Sequence, residues 1–163
     1  EEWVQHYFDN GTMMWHPRHP EQLRFSLMFG GQARVGDYLV QNGPSDLKVV
    51  SPKKFAKEWI ESWNSHNLDD ILKHYSNEIE ITTPMIKLAG GIETGSLKGK
   101  EFVSDYWSKA LKKIPDLHFE LIEVTEGVDS VALYYKSVMN KMAIEVMFFD
   151  ENGLVNKMIA HYS

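Results

Sequence analysis

The sequence predicts an α+β fold in which helices pack on one face of a curved antiparallel sheet. Segments with helical periodicity come first, between residues 51 and 115, and four strand-like segments close the chain. Strands that follow one another through short turns form an antiparallel meander, and helices grouped ahead of them cover one of its faces. With 163 residues, of which 43% are hydrophobic, the chain can form one well-packed core and a small additional module.

The chain is predicted to divide into a small β-rich appendage of unknown role, residues 1–46, and a larger domain, residues 47–163. The segment 41–46, Gln-Asn-Gly-Pro-Ser-Asp, combines turn-forming residues and is expected to serve as the linker. An appendage of this length is too short to hold a stable core alone, so it is expected to pack on the domain or on its partner.

The appendage itself shows one helical and two strand-like segments. Residues 2–8 predict a short helix, and residues 12–15 and 23–29 are rich in strand-forming side chains. Pro17 and Pro20 lie between the two strand-like runs. Because proline has no N–H to donate to a sheet, the two runs are expected not to pair regularly.

Three helices are predicted at the start of the larger domain. Ser51 followed by Pro52 indicates a helix start, because serine caps helices well and proline is favoured at the first helical position. Asn67 is expected to cap a second helix. Apolar residues recur at helical spacing in three stripes: Phe55, Trp59, Ile60 and Trp63, then Leu68, Ile71, Leu72 and Tyr75, and then Phe102, Val103, Tyr106, Trp107 and Ala110.

Strands are predicted between and after the helices. Residues 80–84 predict a strand that ends at Pro84, and the glycine-rich segment 89–99 predicts a loop. Four further strand-like segments follow one another towards the end of the chain, at 117–124, 130–139, 142–149 and 155–162. These four segments are expected to form most of the sheet.

One carboxylate interrupts an otherwise apolar strand. The run 143–149 is apolar on both faces apart from Glu145, and a turn follows at 150–153. Burying an ionised carboxylate without a partner is very costly, so Glu145 is predicted to be paired, neutral or functional.

One layer of helices covers only one face of the strand. The other face is therefore expected to be buried in a homodimer.

Two stretches of the chain resemble a known family. Residues 64–71, Asn-Ser-His-Asn-Leu-Asp-Asp-Ile, and 81–84, Ile-Thr-Thr-Pro, resemble the opening helices and first strand of ketosteroid isomerases. Residues 144–153 resemble their penultimate strand and turn, which polyketide cyclases of the SnoaL type share, and Gly99 falls where the family has glycine. The resemblance covers 51–163 and implies a cone-shaped α+β barrel, usually dimeric. That fold hosts isomerases, cyclases, epoxide hydrolases and non-enzymatic binders.

The resemblance implies roles for three positions. Glu145 stands where the isomerases have the aspartic acid of their oxyanion hole, kept neutral by an apolar site, and where the cyclases have their acid/base aspartate. Thr83 stands at the general-base aspartate of the isomerases, and Trp59 at their oxyanion tyrosine. Threonine does not abstract a carbon-bound proton as a carboxylate does, and an indole N–H only donates. The residues thus favour the cyclase pattern, with one acid/base carboxylate in a hydrophobic pocket.

The turn after the Glu145 strand predicts which side chains share its face. If 150–153 is a four-residue loop, Glu145 lies opposite Met158 on the last strand. Tyr162 then shares the face of Glu145. A slip of one residue in this pairing would reverse the assignment.

The preceding strand offers Glu145 a structural partner. If residues 140–141 form a two-residue turn, Glu145 faces Lys136 and Met147 faces Tyr134. A cross-strand pair with Lys136 would keep Glu145 ionised. A dry pocket without that partner would raise the pKa of Glu145 and leave a neutral acid that donates a hydrogen bond. Both interpretations stay open.

Composition argues against several classes of function. The formal net charge is −6 and no basic block occurs, so no nucleic-acid surface is expected. No apolar stretch approaches the length of a membrane span, and the absence of cysteine excludes disulfides and thiol chemistry. His6, His16 and His19 have no carboxylate or cysteine at ligand spacing, so neither a metal nor another cofactor is expected.

Cysteine usage and the first residue both bear on the compartment of the protein. A chain without cysteine fits the reducing cytoplasm. Because the sequence begins with Glu1 rather than Met, secretion after removal of a signal peptide stays open.

These patterns together predict a pocket for a small apolar ligand that bears a carbonyl group, with Glu145 as acid/base or hydrogen-bonding group. A lyase or isomerase acting through an enol is the first hypothesis. A non-catalytic binding domain is the alternative, and an epoxide hydrolase is disfavoured because no second acidic residue is seen on the pocket face.

Helical stripes of aromatic residues are typical of a core as well as of a pocket wall, so both interpretations stay open for the aromatic candidates on the helices. The candidate ligand-binding residues are Trp59, Trp63, Tyr75, Thr83, Tyr106, Tyr134, Lys136, Met147 and Tyr162.

Overall fold

The chain forms two compact units, Glu1–Ser51 and Pro52–Ser163. The computed structural model of the protein describes residues 2–9, 13–25, 32–34, 38–43 and 46–163. No helix formed by these residues is long and apolar enough to cross a membrane.

The first unit is β-rich. Its elements are α1 (Glu2–Asp9), β1 (Met13–His16), β2 (His19–Phe25), β3 (Gln32–Arg34), β4 (Tyr38–Gly43) and β5 (Asp46–Val50). Strands β1 to β3 form an antiparallel sheet, and β4 pairs antiparallel with β5. The parts of the predicted strands at residue 12 and at 26–29 lie outside the described residues. The expected linker at 41–46 was wrong in its described part, because 41–43 belong to β4 and 46 begins β5.

The expectation that prolines would prevent regular pairing in this unit was wrong for residues 13–15, which pair in register with 23–25. Strand β1 pairs with β2 from Met13 opposite Phe25 onwards. Pro17 lies in the turn between the strands, where its missing N–H is not needed. Pro20 lies beside a register irregularity after Trp15, which accommodates a residue that cannot donate to the ladder.

The second unit holds four α-helices and six strands. In chain order these are α2 (Pro52–Asn64), α3 (Leu68–Leu72), β6 (Tyr75–Thr82), α4 (Pro84–Gly90), β7 (Ser96–Lys98), α5 (Lys100–Lys113), β8 (Glu120–Glu126), β9 (Ser130–Lys136), β10 (Met142–Phe149) and β11 (Val155–Tyr162). The sheet order is β7-β6-β11-β10-β9-β8, and all neighbours are antiparallel except β6 and β11. This arrangement confirms the predicted α+β fold with helices on a curved, mostly antiparallel sheet.

Local sequence signals explain the start of each helix. Pro52 opens α2, as the Ser51-Pro52 pair predicts. The side chain of Asn67 accepts hydrogen bonds from the backbone of Asp69 and Asp70 and so caps α3. Tyr75 was expected to end this second helix, but it begins β6 instead.

Helix α4 was missed because its start signal resembles the end of a strand. Thr83 accepts a hydrogen bond from the backbone N–H of Met85 at 3.2 Å, and Pro84 occupies the first helical turn. This is the same cap-and-proline signal that predicts α2. Gly91, with φ of 68°, ends the helix in the left-handed conformation that glycine adopts without strain.

The strand registers differ from the predicted ones in a way that matters for the site. Glu145 lies opposite Ala160 rather than Met158, a shift of two residues that keeps the predicted faces. On the other side Glu145 lies opposite Leu133 rather than Lys136, a shift of three residues that reverses the face. The connection between β9 and β10 contains a short 3₁₀ turn, Val138–Asn140, instead of a two-residue hairpin turn.

Candidate functional site

A cavity of about 500 Å³ opens in the second unit. Helices α4 and α5, the turn between β9 and β10, and the inward faces of β10 and β11 supply its lining. Deep in the cavity lie buried side chains that include Thr83, Met158 and Ala160. Most of the lining is apolar, which is typical of a site for a small apolar molecule.

Glu145 lies at the buried end of this cavity. It points to the inward face of β10, as do the buried Ala143 and Met147 on either side of it. Only 5% of the residue is exposed. The hydroxyl of Tyr135 donates a hydrogen bond to Oε1 of Glu145 at 2.8 Å. Oε2 of Glu145 is buried and has no hydrogen-bond partner among the described residues.

The surroundings of Glu145 favour its neutral form. Burial raises the pKa of Glu145 to about 7, although the hydrogen bond from Tyr135 opposes part of that rise. Burial and the nearby carboxylate raise the pKa of Tyr135 well above its ordinary value, so the phenol keeps its proton and remains the donor. Because Oε1 accepts from Tyr135, the proton of neutral Glu145 belongs on Oε2. At neutral pH the carboxyl group therefore exists in both forms, and its free oxygen is the one that gives or takes a proton.

The phenol of Tyr162 and the hydroxyl group of Thr83 also line the cavity. Burial and the Glu145 carboxylate raise the pKa of Tyr162, so its phenol is a donor at neutral pH. The hydroxyl oxygen of Thr83 accepts a hydrogen bond at the start of α4, which gives this buried side chain a structural role as a cap. The structure thus brings together three predicted residues, Glu145, Thr83 and Tyr162.

Trp63 and Tyr106, also predicted, lie on the helical side of the cavity. The ring of Trp63 meets that of Trp107 edge to face, with centroids 5.1 Å apart. The indole N–H of Trp63 is buried and has no partner in the part of the chain that the structure describes. Tyr106 is only partly buried, and burial raises its pKa. These aromatic rings form an apolar wall opposite the carboxyl group.

Three predicted residues lie in the core and not in the cavity lining. Trp59, Tyr75 and Met147 are fully buried and do not line the cavity. The indole N–H of Trp59 donates to the hydroxyl of Tyr75 at 2.7 Å, and that hydroxyl points to the sulfur of Met158 at 3.7 Å. Trp59 is therefore a core residue rather than a ligand-binding one. Tyr75, at the start of β6, belongs to the same core.

The predicted pairing of Glu145 with Lys136 was wrong. Lys136 and Tyr134 alternate on β9 with the buried Leu133 and Tyr135, and both lie on the outer face of the strand. Lys136 has Glu120 as its cross-strand neighbour. Met147 was also predicted to lie opposite Tyr134, and this was wrong for the same reason. A register shift by an odd number of residues exchanges the two faces of a strand.

Sequence reasoning missed Tyr135, the hydrogen-bond donor to Glu145. The alternation of Val131, Leu133 and Tyr135 with more exposed residues was a usable signal, because it assigns Tyr135 to the inward face of β9. The assumed hairpin turn had assigned Lys136 to that face. Within the described ranges, no three histidines or acidic residues cluster as metal ligands would.

Comparisons with known proteins agree with this architecture. The family model of the SnoaL-like domain matches residues 56–162. No curated protein matches the sequence. A crystal structure of a SnoaL-like protein of unknown function from Burkholderia thailandensis is 46% identical, with a TM-score of 0.67, over 69% of this chain and 93% of that one.

More distant structures share the fold alone. A candidate isomerase of the SnoaL-like family from Agrobacterium tumefaciens is 10% identical, with a TM-score of 0.56, over 69% of this chain and 97% of that one. A candidate polyketide cyclase from Sinorhizobium meliloti is 11% identical, with a TM-score of 0.55, over 66% of this chain and 94% of that one. Likeness at this identity says nothing about a shared reaction.

Proposed function

The chain belongs to the SnoaL-like family, and we propose that its cavity binds a small apolar ligand with a carbonyl group, on which Glu145 acts as acid and base. One observation carries the proposal: a buried carboxyl group whose pKa is raised to about 7 presents an unpartnered oxygen at the end of an apolar cavity. A group whose pKa lies near the working pH both accepts and donates protons efficiently.

The proposed reaction is the rearrangement of a ketone through its enol, as an isomerase or a cyclase-type lyase would carry it out. Ionised Glu145 takes a proton from the carbon beside the carbonyl group through Oε2. The electron pair of that C–H bond forms the enolate. Neutral Glu145 then returns the proton to carbon, which restores the carboxylate.

The enolate oxygen needs a donor other than Glu145. Tyr162 is the candidate, because its phenol lines the cavity and keeps its proton at neutral pH. A single well-placed donor to a developing oxyanion contributes about 3–4 kcal/mol to the stability of the transition state. Tyr135 acts through Glu145: its hydrogen bond to Oε1 leaves Oε2 as the oxygen that exchanges the proton.

A non-catalytic binding domain is the second candidate function. It is favoured by Thr83, which replaces the general base of the isomerases and whose hydroxyl oxygen is used to cap α4. In that case Glu145 only orients a ligand by hydrogen bonding. An epoxide hydrolase has less support, because the other carboxylate of the cavity lining, Asp105, is exposed and paired with Lys109 at 2.5 Å.

We further propose that the outer face of the sheet is covered by a second copy of the chain. Ile144 on β10 is 43% exposed and Tyr134 on β9 is 38% exposed, and the two residues are direct cross-strand partners. Val146 and Phe148 continue the same face of β10 and are partly exposed. An apolar strip of this kind is typical of a self-complementary dimer interface.

The catalytic proposal is tested by deuterium exchange at the carbon beside the carbonyl group of acetylnaphthalene, followed by proton NMR in D₂O. The wild-type protein is expected to accelerate exchange, and Glu145→Gln to lower the rate by at least about 100-fold, the usual contribution of a general acid or base. Glu126→Gln, at an exposed position at the end of β8, is the matched control. Equal binding and equal exchange with both variants would replace the enzymatic proposal with the binding one.

A further inference from the structure

The polar groups of the cavity are concentrated at its two ends. Glu145 and Thr83, each 5% exposed, lie at the buried end. At the mouth the lining includes Lys113 and Lys141, together with the salt-bridged pair of Asp105 and Lys109. The lining between these ends is largely apolar. A ligand that matches this lining has two polar ends and an apolar body.

The mouth carries excess positive charge. Lys109 is balanced by Asp105 at 2.5 Å, whereas Lys113 and Lys141 form no ion pair with any carboxylate in the described ranges. Lys113 lies in the last turn of α5. Lys141 follows the 3₁₀ turn and is half-buried. Its backbone N–H donates a hydrogen bond to the carbonyl oxygen of Val138, and its own carbonyl oxygen accepts one from the N–H of Ser137. Two elements of the fold thus each contribute an uncompensated cation to one opening.

We propose that the ligand of this cavity is an amphipathic anion, a carbonyl-bearing apolar body with a carboxylate or phosphate that Lys113 and Lys141 hold at the mouth. This inference rests on the proposed function, because it concerns the same cavity and keeps the carbon beside the carbonyl group at Glu145. It adds the charge of the ligand and the direction in which the ligand enters.

Electrostatics permits only one orientation for such a ligand. At the buried end an anion would lose its hydration among apolar side chains and would be repelled by the ionised form of Glu145. At the mouth it stays partly hydrated and meets two ammonium groups. Lysine binds carboxylate and phosphate as a point charge, so the two lysines do not distinguish these head groups. The chain carries a net charge of −6, so this local positive charge opposes the repulsion of an anion by the rest of the molecule.

Lys113 has a structural alternative, because cations in the last turn of a helix stabilise the helix dipole. Lys112 offers a matched control for that role. It lies in the same helical turn and is exposed, but it does not line the cavity. A dipole effect would be shared by both lysines, whereas an effect on an anionic ligand would be confined to Lys113 and Lys141.

The test compares two probes with the same apolar body, acetylnaphthalene and the acetylnaphthoic acid whose carboxylate lies at the opposite end of the ring system. Calorimetric titration of the full chain gives the ratio of their Kd values. The wild-type protein is expected to bind the acid at least about threefold more tightly than the ketone at low salt, as two partly exposed charge contacts permit. The double variant Lys113→Gln with Lys141→Gln is expected to lose this preference, and Lys112→Gln to keep it. Raising the salt concentration is expected to weaken the preference.

Each outcome separates this inference from the proposed function. A wild-type ratio near one, or a preference that survives in the double variant, overturns the anionic ligand and leaves the proposed function intact. A lysine-dependent preference combined with deuterium exchange that is unchanged in Glu145→Gln supports the anion site and contradicts the catalytic role of Glu145. Failure of the wild-type protein to bind either probe overturns both. The phosphate monoester of the same ring system identifies the head group, since tighter binding than the carboxylate indicates a phosphate-bearing ligand.

Discussion

The phenol of Tyr135 on β9 donates a hydrogen bond of 2.8 Å to Oε1 of Glu145 on the neighbouring strand β10. Both side chains point to the inward face of the sheet, and both are almost fully buried. The hydrogen bond stabilises the ionised form of Glu145, but burial acts more strongly and in the opposite direction. The balance leaves a carboxyl group that is poised between its two forms at neutral pH, with one oxygen occupied and the other available.

The raised pKa of Glu145 predicts that the protein becomes less stable as pH rises. The folded-state pKa is about 7, against an ordinary value of 4.5, so the folded state binds more protons between these values than the unfolded state does. The stabilisation from the neutral acid is fully present below pH 4.5 and is lost as pH rises through 7. The total change is on the order of 3 kcal/mol in the free energy of unfolding.

Chemical denaturation of wild type and Glu145→Gln at a series of pH values measures this effect. The amide cannot titrate, so the difference in free energy of unfolding between the two proteins isolates the contribution of Glu145. The variant is expected to gain stability relative to wild type across this interval. A difference that is independent of pH would mean that Glu145 has an ordinary pKa in the folded protein.

Removal of the Tyr135 hydroxyl is predicted to raise the pKa of Glu145 further. In Tyr135→Phe the hydrogen bond that favours the carboxylate is absent, while burial of the carboxyl group is retained. NMR titration of the side-chain carboxyl carbon gives the pKa directly. Tyr134→Phe, on the outer face of the same strand, is the control and is expected to leave the pKa unchanged. A lower pKa in Tyr135→Phe would show that the phenol does not stabilise the carboxylate.

The proposed dimer predicts that a charge on the outer face of β10 separates the subunits. Ile144→Glu would place a carboxylate within the apolar strip of each copy. Burying these unpaired charges in the interface would be costly. Sedimentation velocity at micromolar concentration is expected to show a dimer for wild type and a monomer for Ile144→Glu. Val128→Glu introduces the same charge at a highly exposed position in the turn between β8 and β9 and is expected to remain dimeric. A monomeric wild-type protein would remove the proposal.

Local patterns in the sequence were sufficient to find Glu145 and the two strands β10 and β11. The bounds of β10 and β11 agree with the predicted segments, because each is a continuous run of strand-forming residues bounded by turns. The apolar surroundings of Glu145 within its own strand indicated a buried carboxyl group, as the structure shows. These conclusions depend only on residues that are neighbours in the chain.

The partner of Glu145 could not be predicted in the same way. It depends on strand register, which is decided by the conformation of the connection at 137–141. Met139 and Asn140 both adopt positive φ values of 57° there, which few residues other than glycine and asparagine do readily. A turn that contains a methionine in this conformation gave no recognisable hairpin signal. The register therefore shifted by three residues: Leu133 lies opposite Glu145, and the phenol of Tyr135, rather than Lys136, contacts its carboxyl group.

The sequence by itself determined the class of fold, the family and the burial of one carboxyl group, because these follow from periodicity and local motifs. The tertiary structure alone decided what that carboxyl group contacts and what faces it across the cavity. Side chains from α5, the connection after β9 and the strands β9 to β11 meet around Glu145, although they are far apart in the chain. Their positions depend on how the helices pack on the sheet. They also depend on the length of each turn, because a change by one residue moves the side chains of a strand to its other face. Neither can be predicted from one segment of the sequence.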